Sequence, residues 1–104
     1  MIINIFEFTS DFAENKDVAR ALRLERIVPE LVRGEIVVLD FLNVTSATQS
    51  FIHALISQII RDNGIAILEK LHFKNCNEKI KTIIEIVVDY IQDGIFSEEE
   101  EDEK

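Results

Sequence analysis

The run Ile36-Val37-Val38-Leu39-Asp40-Phe41, continued by Leu42-Asn43-Val44-Thr45-Ser46-Ala47-Thr48-Gln49-Ser50-Phe51, decides how this chain is read. The first six residues are apolar except for Asp40, and three of them are β-branched. No alternation is left for a wet face, which predicts a strand buried on both faces. Polarity then switches on. Asn43, Thr45, Ser46, Thr48, Gln49 and Ser50 carry side chains that bond locally to backbone and favour turns and helix caps. From Phe51 a helical period takes over. A buried strand therefore hands over to a hydroxyl-rich loop that opens a helix.

Downstream, that helix is expected from Ala47 or Thr48 to Asp62. Phe51, Ile52, Leu55, Ile56, Ile59 and Ile60 give it an apolar face wide enough to lie on a sheet, and Asn63-Gly64 stops it. Residues 65–73 fit either a short strand or a helical turn, with a strand favoured at 70–74. Asn75 and Glu78 fit a capping box for a third helix. Ile80, Ile83, Ile84, Val87 and Ile91 form its buried stripe, and Gly94 closes it.

Upstream, Ile2 to Phe8 reads as a strand, with Ile3 and Ile5 on one face and Asn4, Phe6 and Phe8 on the other. Residues 9–16 are turn-like, with Asp11 and Asn15 available as caps. A helix then runs from Asp17 to Val32, with a stripe at Ala21, Leu24, Val28 and Leu31. Pro29 should kink or split it, and Gly34 should end it. The order is strand, helix, strand, helix, strand, helix. It predicts an α/β fold with about three helices on a mixed or mostly parallel sheet.

With 104 residues, 47% of them hydrophobic, a single domain with a real core is expected. Residues 1–96 would form it, and the acidic end, 97–104, would be disordered. A net charge of -9 argues against nucleic-acid partners. No apolar run approaches a membrane span, and no basic leader opens the chain. The single cysteine, Cys76, cannot form an internal disulfide and lacks a CxxC companion. A cytoplasmic chain without a metal site is expected. The three glycines all fall at expected helix ends, so no phosphate loop and no nucleotide cofactor is anticipated.

Two positions invite a catalytic reading. Asp40 lies near the carboxyl end of a strand, where α/β folds place their sites. His53 follows Ser50 in the helix and would serve it as a base. The plainer reading has Asp40 accept hydrogen bonds from the following loop, and has His53 on a surface or interface. A small hydrolase or transferase using Asp40, Ser50 and His53 is thus one alternative. A homodimer built on the broad apolar helix faces is another. His72 alternates with Leu71 and Phe73 and is read as solvent-facing or half-buried.

The segments Val38-Leu39-Asp40-Phe41, Asn43-Val44-Thr45 and Ser50-Phe51 resemble the centre of STAS domains, shared by sulphate transporters and anti-sigma-factor antagonists. A small bacterial STAS-like family of unknown function is more similar still, through Asp40-Phe41, Ser50-Phe51 and Phe73-Lys74-Asn75. Ala19-Arg20 also suits that family's amino-terminal part. The resemblance spans residues 2 to 93. It implies a STAS-like sandwich and a non-enzymatic regulatory module. The implied partner is an anti-sigma-like or histidine-kinase-like ATPase, docked through the start of the second helix. Asn43, Thr45, Ser46, Thr48, Gln49, Ser50 and His53 would form the docking surface. The sequence departs from the phosphorylated antagonists. Thr48 stands where they carry Asp, Gln49 stands at the acceptor, and Asn43 replaces a usual glycine. Ser50 is then the first choice of phosphoacceptor and Thr48 the second.

Overall fold

The computed structural model describes the backbone of residues 1–102 and the side chains of residues 1–93. Three parallel strands form the main sheet: β1 (Ile2–Asn4), β3 (Val37–Asp40) and β5 (Leu71–Lys74), in the order β1-β3-β5. The register pairs Ile3 with Leu39 and Leu39 with Phe73. Two short strands, β2 (Phe12–Ala13) and β4 (Ser46–Ala47), make a second parallel ladder. Among the three main strands the alternation with helices is as expected, whereas β2 and β4 arise from segments expected to be turn and loop, and both sheets are parallel.

Sequential order in a parallel sheet has a geometric consequence. Crossovers between parallel strands are right-handed almost without exception, and two that step the same way put their helices on the same face. Burial records the result. Ile3, Val37, Leu39, Phe41 and Leu71 are buried beneath the helices. On the other face Val38 is only half-buried and Ile36 is 48% exposed. The expectation that Ile36 to Phe41 is buried on both faces is therefore corrected. The run is apolar on both sides, but only one side is covered.

The amino-terminal strand is shorter than its alternation suggests. It stops at Asn4, opposite Asp40, and Ile5 still donates its amide to the Asp40 carbonyl at 2.9 Å. Beyond Asp40 the neighbour turns away, so no ladder remains to extend. Residues Phe6–Thr9 coil into a single turn, α1. Phe6 and Phe8 are exposed, with the Arg26 guanidinium 5.4 Å from the Phe8 ring centre.

The first long helix is split, as Pro29 requires. α2 (Lys16–Leu22) is capped by Asn15, whose side chain accepts from the Asp17 and Val18 amides. A π-helical turn follows at Arg23–Ile27, and then α3 (Val28–Val32). Pro29 has no N–H to return to the preceding turn. The Val28 amide reaches back to the Arg23 carbonyl, five residues earlier. That wider turn shifts the buried face. It consists of Ala19, Leu22 and Ile27, while Leu24 of the expected stripe is exposed. A constant 3.6-residue period could not locate it.

α4 (Gln49–Asn63) buries Phe51, Ile52, Leu55, Ile56, Ile59 and Ile60, as predicted, and Gly64 at φ +82° ends it. That face lies in the core of the chain itself, so it is not left over for assembly. A 3₁₀ turn at Ile65–Glu69 leads into β5. α5 (Glu78–Asp102) packs on α4 and β4 and buries Ile80, Ile84, Val87 and Ile91. The Ile80 amide is capped by Asn77 at 2.9 Å, not by Asn75. Asn75 instead adopts φ +59° and gives its amide to Asp40. The helix also continues through Gly94. The expected disorder of 97–104 falls on residues whose side chains, and at 103–104 the backbone too, lie outside the described residues.

Candidate functional site

The loop between β3 and α4 is built by local bonds. Val44 N–H closes a four-residue turn on the Phe41 carbonyl at 3.0 Å, with Asn43 at φ +72° in its third position. That position favours glycine, and asparagine is the residue that best tolerates it otherwise. The departure from glycine at Asn43 thus keeps the same backbone. Thr45 is clamped from two sides. Its N–H and hydroxyl both donate to the Asp11 carbonyl, and its own carbonyl accepts from Asn77. Ser46 is held in the β2–β4 ladder, opposite Phe12.

Thr48 is the N-cap of α4, accepting the Phe51 N–H at 3.0 Å. Its hydroxyl is therefore committed to the helix start. Gln49 and Ser50, in the first turn, are exposed. They line an open groove of about 530 Å³ together with Lys16, His53, Ala54, Val87 and Tyr90. His53 and Tyr90 meet with ring centres 6.3 Å apart at 57°. Tyr90 remains 61% exposed. Burial, and then the Arg61 charge, hold the His53 imidazole below its usual pKa. Its Nδ1 lies 3.4 Å from the Ser57 hydroxyl. The groove therefore has an aromatic pair at its centre, with hydroxyl and amide groups on one rim. Lys16 joins it from the first turn of α2. A cation there opposes the helix dipole, so that helix gains nothing from it.

The predicted residues divide between two surfaces. Gln49, Ser50 and His53 share the groove. Ser46 faces a neighbouring depression with Glu78, Lys79 and Thr82 of α5. Asn43 and Thr45 are exposed on the turn after β3 and line neither. Asp40 lines neither of these. It is 9% exposed, and one of its oxygens accepts from Asn75 Nδ2 and from the Leu42 amide, both at 2.9 Å. The Asn75 bond chiefly, and then the Leu42 bond, hold its carboxyl below the usual range, against the opposing effect of burial. This is the plainer reading of Asp40, a carboxylate that fastens the end of β3 to the segment before α5. A single groove joining Asp40, Ser50 and His53 does not form. His72 is exposed, with Nε2 2.8 Å from the Glu69 carbonyl. Among the described residues no three metal-ligating side chains come together, and no helix is long and apolar enough to cross a membrane.

Sequence reasoning missed Lys16 and Tyr90. Tyr90 had a signal. It stands at i+3 from Val87 and i+7 from Ile83, on the margin of the buried stripe of α5. Lys16 had none, because nothing in the sequence brings the start of α2 beside α4.

A polar turn with φ-positive Asn43, a capped helix start and exposed Gln49-Ser50 all lie inside one matched region. Residues 19–81 match the model of a family described as a STAS-like domain of unknown function. The chain belongs to that family. No curated protein and no solved structure matches it. In this STAS-like domain the matched region holds β3, β5, α4 and most of the first helical arm. β1 and most of α5 lie outside it.

Proposed function

We propose that this STAS-like domain is a cytoplasmic, non-enzymatic regulatory module that docks a partner protein through the groove at the start of α4. One observation carries the reading. Gln49 and Ser50 are exposed beside a half-open aromatic pair, His53 and Tyr90, while the apolar face of α4 is committed to the core. Tyrosine and histidine offer a partner apolar area with a polar tip. Asn43 and Thr45, exposed on the turn that precedes α4, do not line the groove and belong to the proposed surface only as its outlying part. The proposed partner is an anti-sigma-like or histidine-kinase-like ATPase, in keeping with STAS-like relationships.

Ser50 is the proposed phosphoacceptor. A phosphoryl group there would stand in the first turn of α4 and beside Lys16, where both helix dipole and cation favour negative charge. The same group would lie at the mouth of the groove and obstruct docking. Thr48 is the poorer acceptor, since its modification displaces the cap. The test is recovery of an ATPase partner with tagged protein in three forms. Wild type and Ser50→Ala should recover it equally, and Ser50→Asp about ten-fold less, a loss of about 1.4 kcal/mol. Equal recovery by all three forms would refute docking at this groove.

A further inference from the structure

The uncovered face of the main sheet is a second surface, and it does not depend on the groove. Register places Ile2, Val38 and His72 in one row, and Asn4, Asp40 and Lys74 in the next. Ile36 and Lys70 precede the first row at the same parity. The columns differ in chemistry. β3 and β1 present Ile36, Val38 and Ile2, of which Ile2 is 57% exposed. The β5 column presents Lys70, His72 and Lys74, all exposed. The Lys70 ammonium donates to the neutral Gly34 carbonyl at 2.9 Å, and among the described residues it forms no ion pair. Asp40 is an opposing charge on this face: its carboxylate accepts from Asn75 and the Leu42 amide and also feels the charge of Lys74, its register partner, so Lys74 is partly offset while Lys70 and His72 lie farther along the column. An apolar strip edged by cations is thus displayed by a chain of net charge -9.

Parallel sheets are normally covered on both faces, with helices as the cover. Size decides what fits here. Three strands spaced about 4.8 Å, with about 3.3 Å per residue, give a patch of about 14 by 13 Å. A stable dimer interface needs about 800 Å² from each partner, several times that footprint. A single helix, about 10 Å across, fits it. We propose that this face seats one amphipathic helix of a partner protein, its apolar stripe on Ile2, Ile36 and Val38 and its acidic flank on Lys70 and Lys74. The seated helix supplies the third layer that the sequential strand order leaves missing.

The probe is a synthetic helical peptide of about 18 residues, roughly five turns, with a leucine stripe flanked by glutamate. Its counterpart carries lysine in place of glutamate. Amide shifts of the isotope-labelled, full-length protein are followed on titration. The acidic peptide should perturb residues 2–4, 36–40 and 70–74, and the basic peptide should leave them unchanged. Lys70→Glu with Lys74→Glu should weaken the acidic peptide about ten-fold and admit the basic one. His72→Glu, checked by the same spectrum for an intact fold, should weaken the acidic peptide in the same direction. Absence of binding, equal binding of both peptides, or shifts confined to the α4–α5 groove would overturn the proposal. Concentration-dependent shifts of this face without peptide would overturn it too, in favour of a second copy of the chain.

Discussion

Asn43 carries the turn between strand and site in a left-handed backbone at φ +72°. An L-residue other than Gly, Asn or Asp is strained there. Asn43→Ala should therefore lower stability by about 1 kcal/mol, while Asn43→Gly should leave it within a few tenths. Urea unfolding of the two variants checks this, with the midpoint compared at constant slope. Two titrations belong to the same scale. The Asp40 carboxyl sits below its unfolded value of 3.8. Its contribution is present above that pH and is lost as pH falls through the lower folded value. Asp40→Asn should remove that part of the acid transition. His53 is also held low, from 6.5, by burial. The unfolded chain then binds the proton more readily, so stability falls as pH drops through about 6.5. His53→Gln should flatten the profile between neutral pH and mildly acidic pH, measured by thermal unfolding.

At the scale of elements, helix starts were legible in part. The Thr48 region and the Asn15 cap could be read because capping side chains stand directly before their helices. Thr48→Ala should cost about 1 kcal/mol through loss of the cap on Phe51 N–H, whereas Thr48→Asp should retain most of it. Circular dichroism during thermal unfolding separates the two. The apolar faces of α4 and α5 were legible because each is a regular helix over its buried length. The first helical arm was legible only as a broken one. Pro29 announced a break, but the π turn at Arg23–Ile27 moved the buried face to Ile27. Period-2 alternation continues to Phe8 after the ladder has ended at Asn4, so the pattern overstates the strand at Ile2. Position alone makes Asn75 a helix cap. Its side chain serves Asp40, 35 residues away, and no local pattern reports such a bond.

For the whole molecule, strand order matters most. The sequence displays three apolar β segments but not the order in which they pair. The order β1-β3-β5 puts the helical arms together and leaves one face of the sheet open. An unbroken apolar run such as Ile36–Phe41 does not distinguish a face covered by the chain from one waiting for cover. The candidate site was half legible for a related reason. Gln49, Ser50 and His53 are local to α4, whereas the groove exists only because α2 and α5 bring Lys16 and Tyr90 to it. Removing core volume beneath that arrangement should unfold the whole domain together. Leu55→Ala, at a fully buried position of α4, should cost about 2–5 kcal/mol with one cooperative transition by both fluorescence and circular dichroism.

The central claim is that the start of α4 is where a partner is read. The most direct measurement places a photo-crosslinking residue at Gln49 in one protein and at Arg33 in another. Arg33 is exposed, ends the first helical arm, and does not line the groove. After irradiation in native cells, adducts are identified by mass spectrometry. One dominant protein adduct is expected at position 49, absent at position 33 and suppressed by adding Ser50→Asp. An adduct at 33 but not at 49, or one at 49 that Ser50→Asp leaves unchanged, would contradict it.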